Sequence, residues 1–125
     1  MSAIANLIAT LEEDPFAGIE ALRDAGRRKA TAEGVAYRLE RERKSLLARL
    51  ASEYANAHSK AGMSEAKLER LARADARYQA HIEGTAAAIE QRELCNSEYW
   101  TIRARLEWLD KAISHENALT RLGGP

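Results

Sequence analysis

The chain has 125 residues, enough for one domain, and its 19 basic and 19 acidic residues give a net charge of zero. A neutral chain has no overall attraction to nucleic acid or to an anionic membrane. A single cysteine excludes an internal disulfide and is typical of a reducing compartment. No apolar run approaches the roughly 20 residues of a membrane-spanning helix, and no signal-like segment begins the chain. We predict a cytoplasmic protein of a bacterial or phage-infected cell, without a membrane partner.

Charge is distributed unevenly along the chain. Residues 1–26 carry a net charge of −4, residues 27–82 carry +6, and residues 83–125 carry −2. The basic middle is therefore the part that would attract an anionic partner.

Two short amphipathic helices are predicted in residues 1–26. Residues 3–13 place apolar side chains at the i, i+3, i+4 spacing of one helix face. Asp14 is predicted to cap a second helix, with Pro15 at its first position, and Gly26 to end it. Neither helix is long enough to be stable alone, so their apolar faces are expected to dock either on another part of the same chain or on a second copy.

A helical hairpin is predicted for residues 27–125. Residues 27–61 and 64–122 show helical apolar spacing, and the second segment is predicted to be one continuous helix. Gly62 suits the left-handed residue after a helix end, and Ser64 suits an N-cap, so the turn is expected near residues 60–64. The predicted fold class is all-α. It is an antiparallel long-helix hairpin, of the coiled-coil or helical-bundle type, with the two short N-terminal helices in a single domain, and oligomeric.

The apolar stripe of the second long helix changes phase after Ile89. Its first half follows heptads through Leu68, Leu71, Asp75, Tyr78, Ile82, Thr85 and Ile89. Ten residues separate Ile89 from Tyr99, one heptad plus three, which overwinds a coiled coil. This favours a change of partner helix, and a functional hinge is the alternative. Beyond that point, Trp100 and Trp108 widen the apolar arc past what one partner helix covers. This end is therefore expected to pack against two or more helices, with the N-terminal helices as one candidate and a second subunit as another. The predicted oligomer interface consists of Tyr99, Trp100, Ile102, Leu106, Trp108, Leu109 and Ile113.

No pattern in the chain indicates catalysis. The three histidines are widely separated, and metal sites need three or four converging ligands. Cys95 has no context of a nucleophile and is expected to pack as a small hydrophobe. No glycine-rich loop suits a phosphate cradle. We predict no enzyme activity, no catalytic residue, no metal, no cofactor and no small-molecule substrate.

The basic residues of the middle section suggest a stripe that could follow phosphates. Folding about Gly62 would bring Arg49 close to Arg73 and Arg77. The predicted nucleic-acid contacts are Arg41, Arg49, Lys67, Arg70, Arg73 and Arg77. The alternative is that these are solvated positions, paired with nearby glutamates at i, i+4 spacing. Tyr54 and Tyr78 fall in the predicted core, so base stacking is not expected.

A resemblance adds a specific function. The segments that carry it are Met63-Ser64-Glu65-Ala66, Ala72-Arg73-Ala74-Asp75-Ala76-Arg77-Tyr78, Tyr99-Trp100, Arg103-Ala104-Arg105-Leu106 and Leu109-Asp110. Over about residues 35–115, their order resembles small helical proteins encoded beside recombinases or single-strand annealing proteins in tailed-phage genomes. It is similar in outline to UvsY-type recombination mediators.

The resemblance implies a self-assembling protein that binds single-stranded DNA and assists a recombinase or annealing protein. A protein–protein interaction module without DNA binding remains the alternative. It would be a virion or scaffold component, or an inhibitor of a host enzyme.

Overall fold

The computed structural model describes residues 14–58 and 62–123, and that part of the chain is helical without a strand. Helix α1 is Pro15–Ala57, α2 is Glu65–Ala74 and α3 is Ala76–Gly123. The all-α prediction is confirmed, and a hairpin of long helices fits the arrangement. The coiled-coil geometry and the oligomeric state stay predictions, and the first predicted short helix lies outside the described residues. Among the described helices, none has the length and apolar character to cross a bilayer.

Helix α1 begins as predicted but does not end at Gly26. The backbone N–H of Phe16 donates to Asp14 Oδ1 at 3.0 Å, which is the expected cap. The predicted stop is wrong, because α1 continues to Ala57. A mid-helix glycine destabilises a helix by only about 1 kcal/mol relative to alanine. Packing offsets this, since Ala25 is buried and a Cβ built at Gly26 would lie 3.6 Å from the Tyr99 ring.

The chain divides into two compact units. Unit 1 comprises residues 1–30 and 93–125, and unit 2 comprises residues 31–92. Helices α1 and α3 each contribute to both units. The predicted organisation, short helices in residues 1–26 and a hairpin in residues 27–125 within a single domain, stays a prediction.

The core of unit 1 lies between the start of α1 and the second half of α3. Ala25 and Ile102 are buried there. The half-buried side chains packed around them are Ala21, Leu22, Tyr99, Leu106 and Leu109. Arg28 forms an ion pair with Glu98 at 3.8 Å. With Tyr99 beside Gly26, this contact shows that the two segments run antiparallel.

The core of unit 2 is built around Leu50, Ala72 and Tyr78. Partly buried side chains complete it, namely Leu46, Leu47, Ala51 and Ile82. A histidine hydrogen bond also joins α1 to α3. His81 Nε2 lies 2.8 Å from the carbonyl oxygen of Leu39. Since a carbonyl oxygen only accepts, Nε2 must carry the proton.

The turn that precedes α2 has the predicted chemistry. Gly62 has a φ of 60°, in the left-handed region that glycine adopts without a steric penalty. The side chain of Ser64 accepts a hydrogen bond from the backbone N–H of Lys67 at 3.3 Å. The predicted glycine and N-cap are both confirmed.

Gly62→Val is expected to lower the free energy of unfolding by more than about 1 kcal/mol, because a β-branched residue resists positive φ. Chemical denaturation would measure the change. Gly34→Val is the matched control, because Gly34 lies within α1 with no neighbouring atom within 4 Å of a built Cβ. Valine is the better helix former, so the control should be neutral or slightly more stable. Equal effects of the two substitutions would contradict the assigned role of Gly62.

The second long helix is interrupted at Asp75, which corrects the prediction of one continuous helix from residue 64. Asp75 has φ −62° and ψ 136°, an extended conformation that separates α2 from α3. Its backbone N–H donates to the carbonyl of Ala72 at 3.2 Å, and the side-chain amide of Gln79 donates to the carbonyl of Arg73 at 2.7 Å. Helix ends leave such carbonyls without partners, so these bonds stabilise the interruption.

Candidate nucleic-acid interface

The six side chains predicted to contact phosphate all lie in unit 2, and all are exposed. Arg41 and Arg49 belong to α1. Lys67, Arg70 and Arg73 follow one another at three-residue spacing along α2, and so share one side of that short helix. Arg77 is the second residue of α3. The fold therefore presents cations on all three helices of the hairpin.

Arg73 and Arg77 are bound to carboxylates. Arg73 reaches Glu69 Oε1 with Nη2 at 2.8 Å and with Nε at 3.3 Å. Arg77 Nη2 lies 2.7 Å from Glu53 Oε2, and Arg77 Nε lies 3.1 Å from Asp75 Oδ1. The hydrogen bond to Glu69 raises the pKa of Arg73. The bonds to Asp75 and then Glu53 raise the pKa of Arg77. Much of the charge of these two arginines is locally balanced.

The other four cations, Arg41, Arg49, Lys67 and Arg70, form no ion pair within the part of the chain that the structure describes. A phosphate could approach them without displacing a carboxylate. Of the glutamates that could have balanced the stripe, Glu69 pairs at i, i+4 spacing and Glu53 pairs across helices. The remaining ones, Glu40, Glu42 and Glu65, make no ion pair among the described residues. The alternative, in which each cation of the basic middle section is paired with a carboxylate, therefore applies only to Arg73 and Arg77 among the six.

Arg49 and Arg77 meet at one groove between α1 and α3. The groove has a volume of about 650 Å³, and His81 and Glu42 also line it. This placement agrees with the expected approach of Arg49 to Arg77. Because Glu42 shares the groove, an anion bound there would meet both signs of charge.

Asp75 forms a hydrogen-bond network beside this surface, and it was not among the site residues predicted from the sequence. Its Oδ1 accepts the backbone N–H of Arg77 at 2.8 Å, and its Oδ2 accepts the Tyr54 hydroxyl at 2.9 Å. Hydrogen bonds from the side chain and backbone of Arg77, followed by that from Tyr54, hold the pKa of Asp75 well below its usual range. The same bond raises the pKa of Tyr54 above its ordinary value. An aspartate within a stripe of apolar positions was the signal available in the sequence.

The hydrogen bonds between Asp75 and Arg77 fix the orientation of the Arg77 side chain and do not indicate a reactive group. The carboxylate holds the guanidinium through Nε and Nη2, both at 3.1 Å. It also caps the first turn of α3, as aspartate commonly does. Asp75 thus positions one edge of the candidate interface.

Two tyrosines of unit 2, Tyr54 and Tyr78, are withdrawn from this surface. Tyr78 is buried with 5% of its surface exposed. Tyr54 is half-buried, and its hydroxyl is bonded to Asp75. Tyr37 of α1 is the exposed tyrosine of unit 2, with 64% of its surface exposed, so base stacking on a tyrosine of this unit would depend on Tyr37 and not on Tyr54 or Tyr78.

The predicted oligomer interface divides into two groups. The group packed inside unit 1 is Tyr99, Ile102, Leu106 and Leu109. The exposed group is Trp100 (50%), Trp108 (55%) and Ile113 (50%). The role of either group in assembly stays a prediction.

The described residues contain no group of three or more histidine, cysteine, aspartate or glutamate side chains that could hold a metal. Cys95 is buried with 4% of its surface exposed, as expected for a cysteine that packs as a small hydrophobe. Comparisons with protein-family models, with curated protein sequences and with solved structures give no match.

Proposed function

We propose that this protein is a self-assembling, non-enzymatic accessory of phage-type homologous recombination. It contacts the phosphates of single-stranded DNA through unit 2 and assists a recombinase or annealing protein. One observation carries the DNA contact: Arg41, Arg49, Lys67 and Arg70 are exposed cations without an ion pair in the described part of the chain. When exposed cations of this kind bind phosphates, condensed counterions are released from the DNA, which favours association at low salt.

The chemistry of the surface supports binding without base preference. Arginine and lysine contacts to phosphate fix position but carry no sequence information. The proposed contacts of Arg41, Arg49, Lys67 and Arg70 to phosphate do not distinguish one base from another. An accessory that coats DNA of any sequence needs this kind of contact.

The test is replacement of Arg41, Arg49, Lys67 and Arg70 with glutamine, followed by binding to a fluorescent single-stranded oligonucleotide over a series of salt concentrations. Each lost contact should reduce the log–log salt slope by about 0.7, or up to about 2.8 for all four. Binding should weaken equally on oligonucleotides of different sequence. Circular dichroism should be unchanged, because glutamine is nearly as good a helix former as arginine or lysine.

The matched control replaces four arginines of unit 1 with glutamine, namely Arg23, Arg27, Arg103 and Arg121. This control variant changes the net charge by the same amount as the unit 2 variant. It should keep most of the wild-type dependence of DNA affinity on salt concentration. No binding by the wild type at low salt would contradict the DNA contact. An equal loss in both variants would show a diffuse charge effect and would contradict the assignment to unit 2.

A second candidate function is an interaction module that binds another protein and no DNA. The half-exposed tryptophans of α3 favour it, because tryptophan and arginine are enriched among the residues that dominate protein interfaces. Absence of DNA binding in the experiment above would make this candidate the leading one.

A further inference from the structure

One side of α3 in unit 1 is exposed along its whole length and carries both tryptophans. Trp100, Ala104 and Trp108 are spaced by four residues, so they lie on one side of the helix. Further exposed residues continue the same line in both directions. We call the full set the α3 stripe: Glu93, Ser97, Trp100, Ala104, Trp108, Lys111 and His115, all exposed.

The tryptophans of this stripe are held in place by contacts within the helix. Trp100 Nε1 donates to Asn96 Oδ1 at 3.1 Å, which leaves the apolar part of the indole for other contacts. The guanidinium of Arg103 lies 5.0 Å from the Trp100 ring centroid, and that of Arg105 lies 4.5 Å from the Trp108 ring centroid. Side chains ordered in advance lose less entropy when a partner docks.

The α3 stripe is symmetric about Ala104. Trp100 and Trp108 lie four residues on either side of it, and Ser97 and Lys111 lie seven residues on either side. A two-fold axis through Ala104 would therefore pair each Trp100 with the Trp108 of a second copy running antiparallel. Such self-complementary surfaces are what two-fold dimers require. The small side chain of alanine allows the helices to approach closely at the axis.

The charges of the stripe select the antiparallel direction. Glu93 and His115 lie eleven residues on either side of Ala104. An antiparallel pair places Glu93 opposite the second copy's His115 at both ends, where the imidazole N–H can donate a hydrogen bond to the carboxylate. A parallel pair would place Glu93 opposite Glu93 and Lys111 opposite Lys111, and like charges at close range disfavour association.

We propose that the α3 stripe docks onto the α3 stripe of a second copy, antiparallel, with the two-fold axis at Ala104. This deepens the self-assembly in the proposed function and rests on it, but it does not depend on DNA binding. The apolar surface contributed by the tryptophans is modest, since an aromatic side chain buries about 150–250 Å² and these are already half-buried. The dimer is therefore reversible and depends on protein concentration.

Disulfide trapping tests the axis directly. Cys95 is the only cysteine and is buried, so the wild type provides a background without cross-links. Ala104→Cys should give a covalent dimer under mild oxidation, because the two thiols meet at the axis. Ser97→Cys alone and Lys111→Cys alone should not. In an antiparallel pair their like positions lie about 20 Å apart, given a rise of ~1.5 Å per residue.

A mixture of Ser97→Cys and Lys111→Cys should cross-link, since these positions face each other. Efficient cross-linking of Ser97→Cys with itself would overturn the antiparallel arrangement. Sedimentation velocity over a concentration series should show the wild type changing from monomer to dimer. A monomer at all concentrations would overturn the proposal, including the case in which the chain's own residues 1–13 cover the stripe.

Ala104→Glu should abolish the dimer, because it places two like charges at the axis. Its control is Ala87→Glu, an exposed alanine of the same helix, which should dimerise as the wild type does. Both should keep wild-type helix content.

Oligonucleotide binding by the same proteins separates the dimer proposal from the DNA-binding proposal. A dimer without DNA affinity leaves the axis in place and contradicts the DNA contact, whereas a DNA-binding monomer contradicts the axis and the proposed self-assembly and leaves the DNA contact in place.

Discussion

Leu50→Ala is expected to lower the free energy of unfolding by about 2–5 kcal/mol. Leu50 is the largest side chain in the described chain that is completely buried, with 0% of its surface exposed. It lies among residues from all three helices of unit 2, including Ala72 and Tyr78. Truncation leaves a cavity where α1, α2 and α3 meet.

Denaturant titration followed by circular dichroism would measure this change. Leu94→Ala is the control, because Leu94 is on α3 with 55% of its surface exposed. It should lower the free energy of unfolding much less, since surface lost from an already hydrated side chain matters little. Similar losses for the two variants would show that Leu50 does not occupy a closed core.

Asp75→Asn is expected to lower the thermal midpoint at neutral pH. The asparagine side chain can still accept a hydrogen bond at the start of α3, but it removes the charge that attracts Arg77 and accepts the Tyr54 hydroxyl. The strong charge-assisted bonds to Arg77 at 2.8 and 3.1 Å would be weakened together. The variant should therefore loosen the junction between α2 and α3.

The stability that the Asp75 carboxylate contributes depends on pH. The folded-state pKa of Asp75 lies below the ordinary value of 3.8, so the carboxylate stabilises the folded state at any pH above that ordinary value. The contribution is lost as the pH falls through the lowered folded pKa, because folded and unfolded chains are then both protonated. The difference in stability between wild type and Asp75→Asn should therefore be constant near neutrality and shrink in acid.

Tyr54→Phe provides the control for this comparison. It removes one donor to the carboxylate but leaves Asp75 able to titrate, so most of the pH dependence should persist. Melting curves at several pH values would distinguish the two variants. A constant difference between wild type and Asp75→Asn down to strong acid would contradict the carboxylate network.

Local signals in the sequence were sufficient for the turn but not for the helix boundaries. Gly62 and Ser64 act through their own backbone geometry and a bond three residues away, so a short window contains the whole cause. Gly26 and Asp75 depend on residues far along the chain. Tyr99 packs against the first, and Tyr54 bonds to the second. Single-sequence reasoning could not place these partners, and it assigned a helix end and a continuous helix in the wrong positions.

The candidate interface was predictable in location but not in composition. Clustering of cations between residues 27 and 82 is visible in the sequence. Which of them is balanced by an acid depends on the register between helices, since Glu53 reaches Arg77 across the hairpin at 2.7 Å. The apolar arc of α3 was likewise predictable in location, whereas the division between its buried and exposed members was not. Periodicity identified it, but only packing against α1 separates Ile102 from Trp100.

Alanine is the commonest residue of the interior. Four of the eight buried apolar residues in the described part of the chain are Ala25, Ala32, Ala36 and Ala72. Alanine side chains withdraw little hydrocarbon from water, and the heat-capacity increment of unfolding follows the hydrocarbon newly hydrated. The curve of stability against temperature should therefore be flatter for this protein than for a leucine-rich domain of equal length. A shallow curve would leave the native state almost equally favoured over a wide span of temperatures.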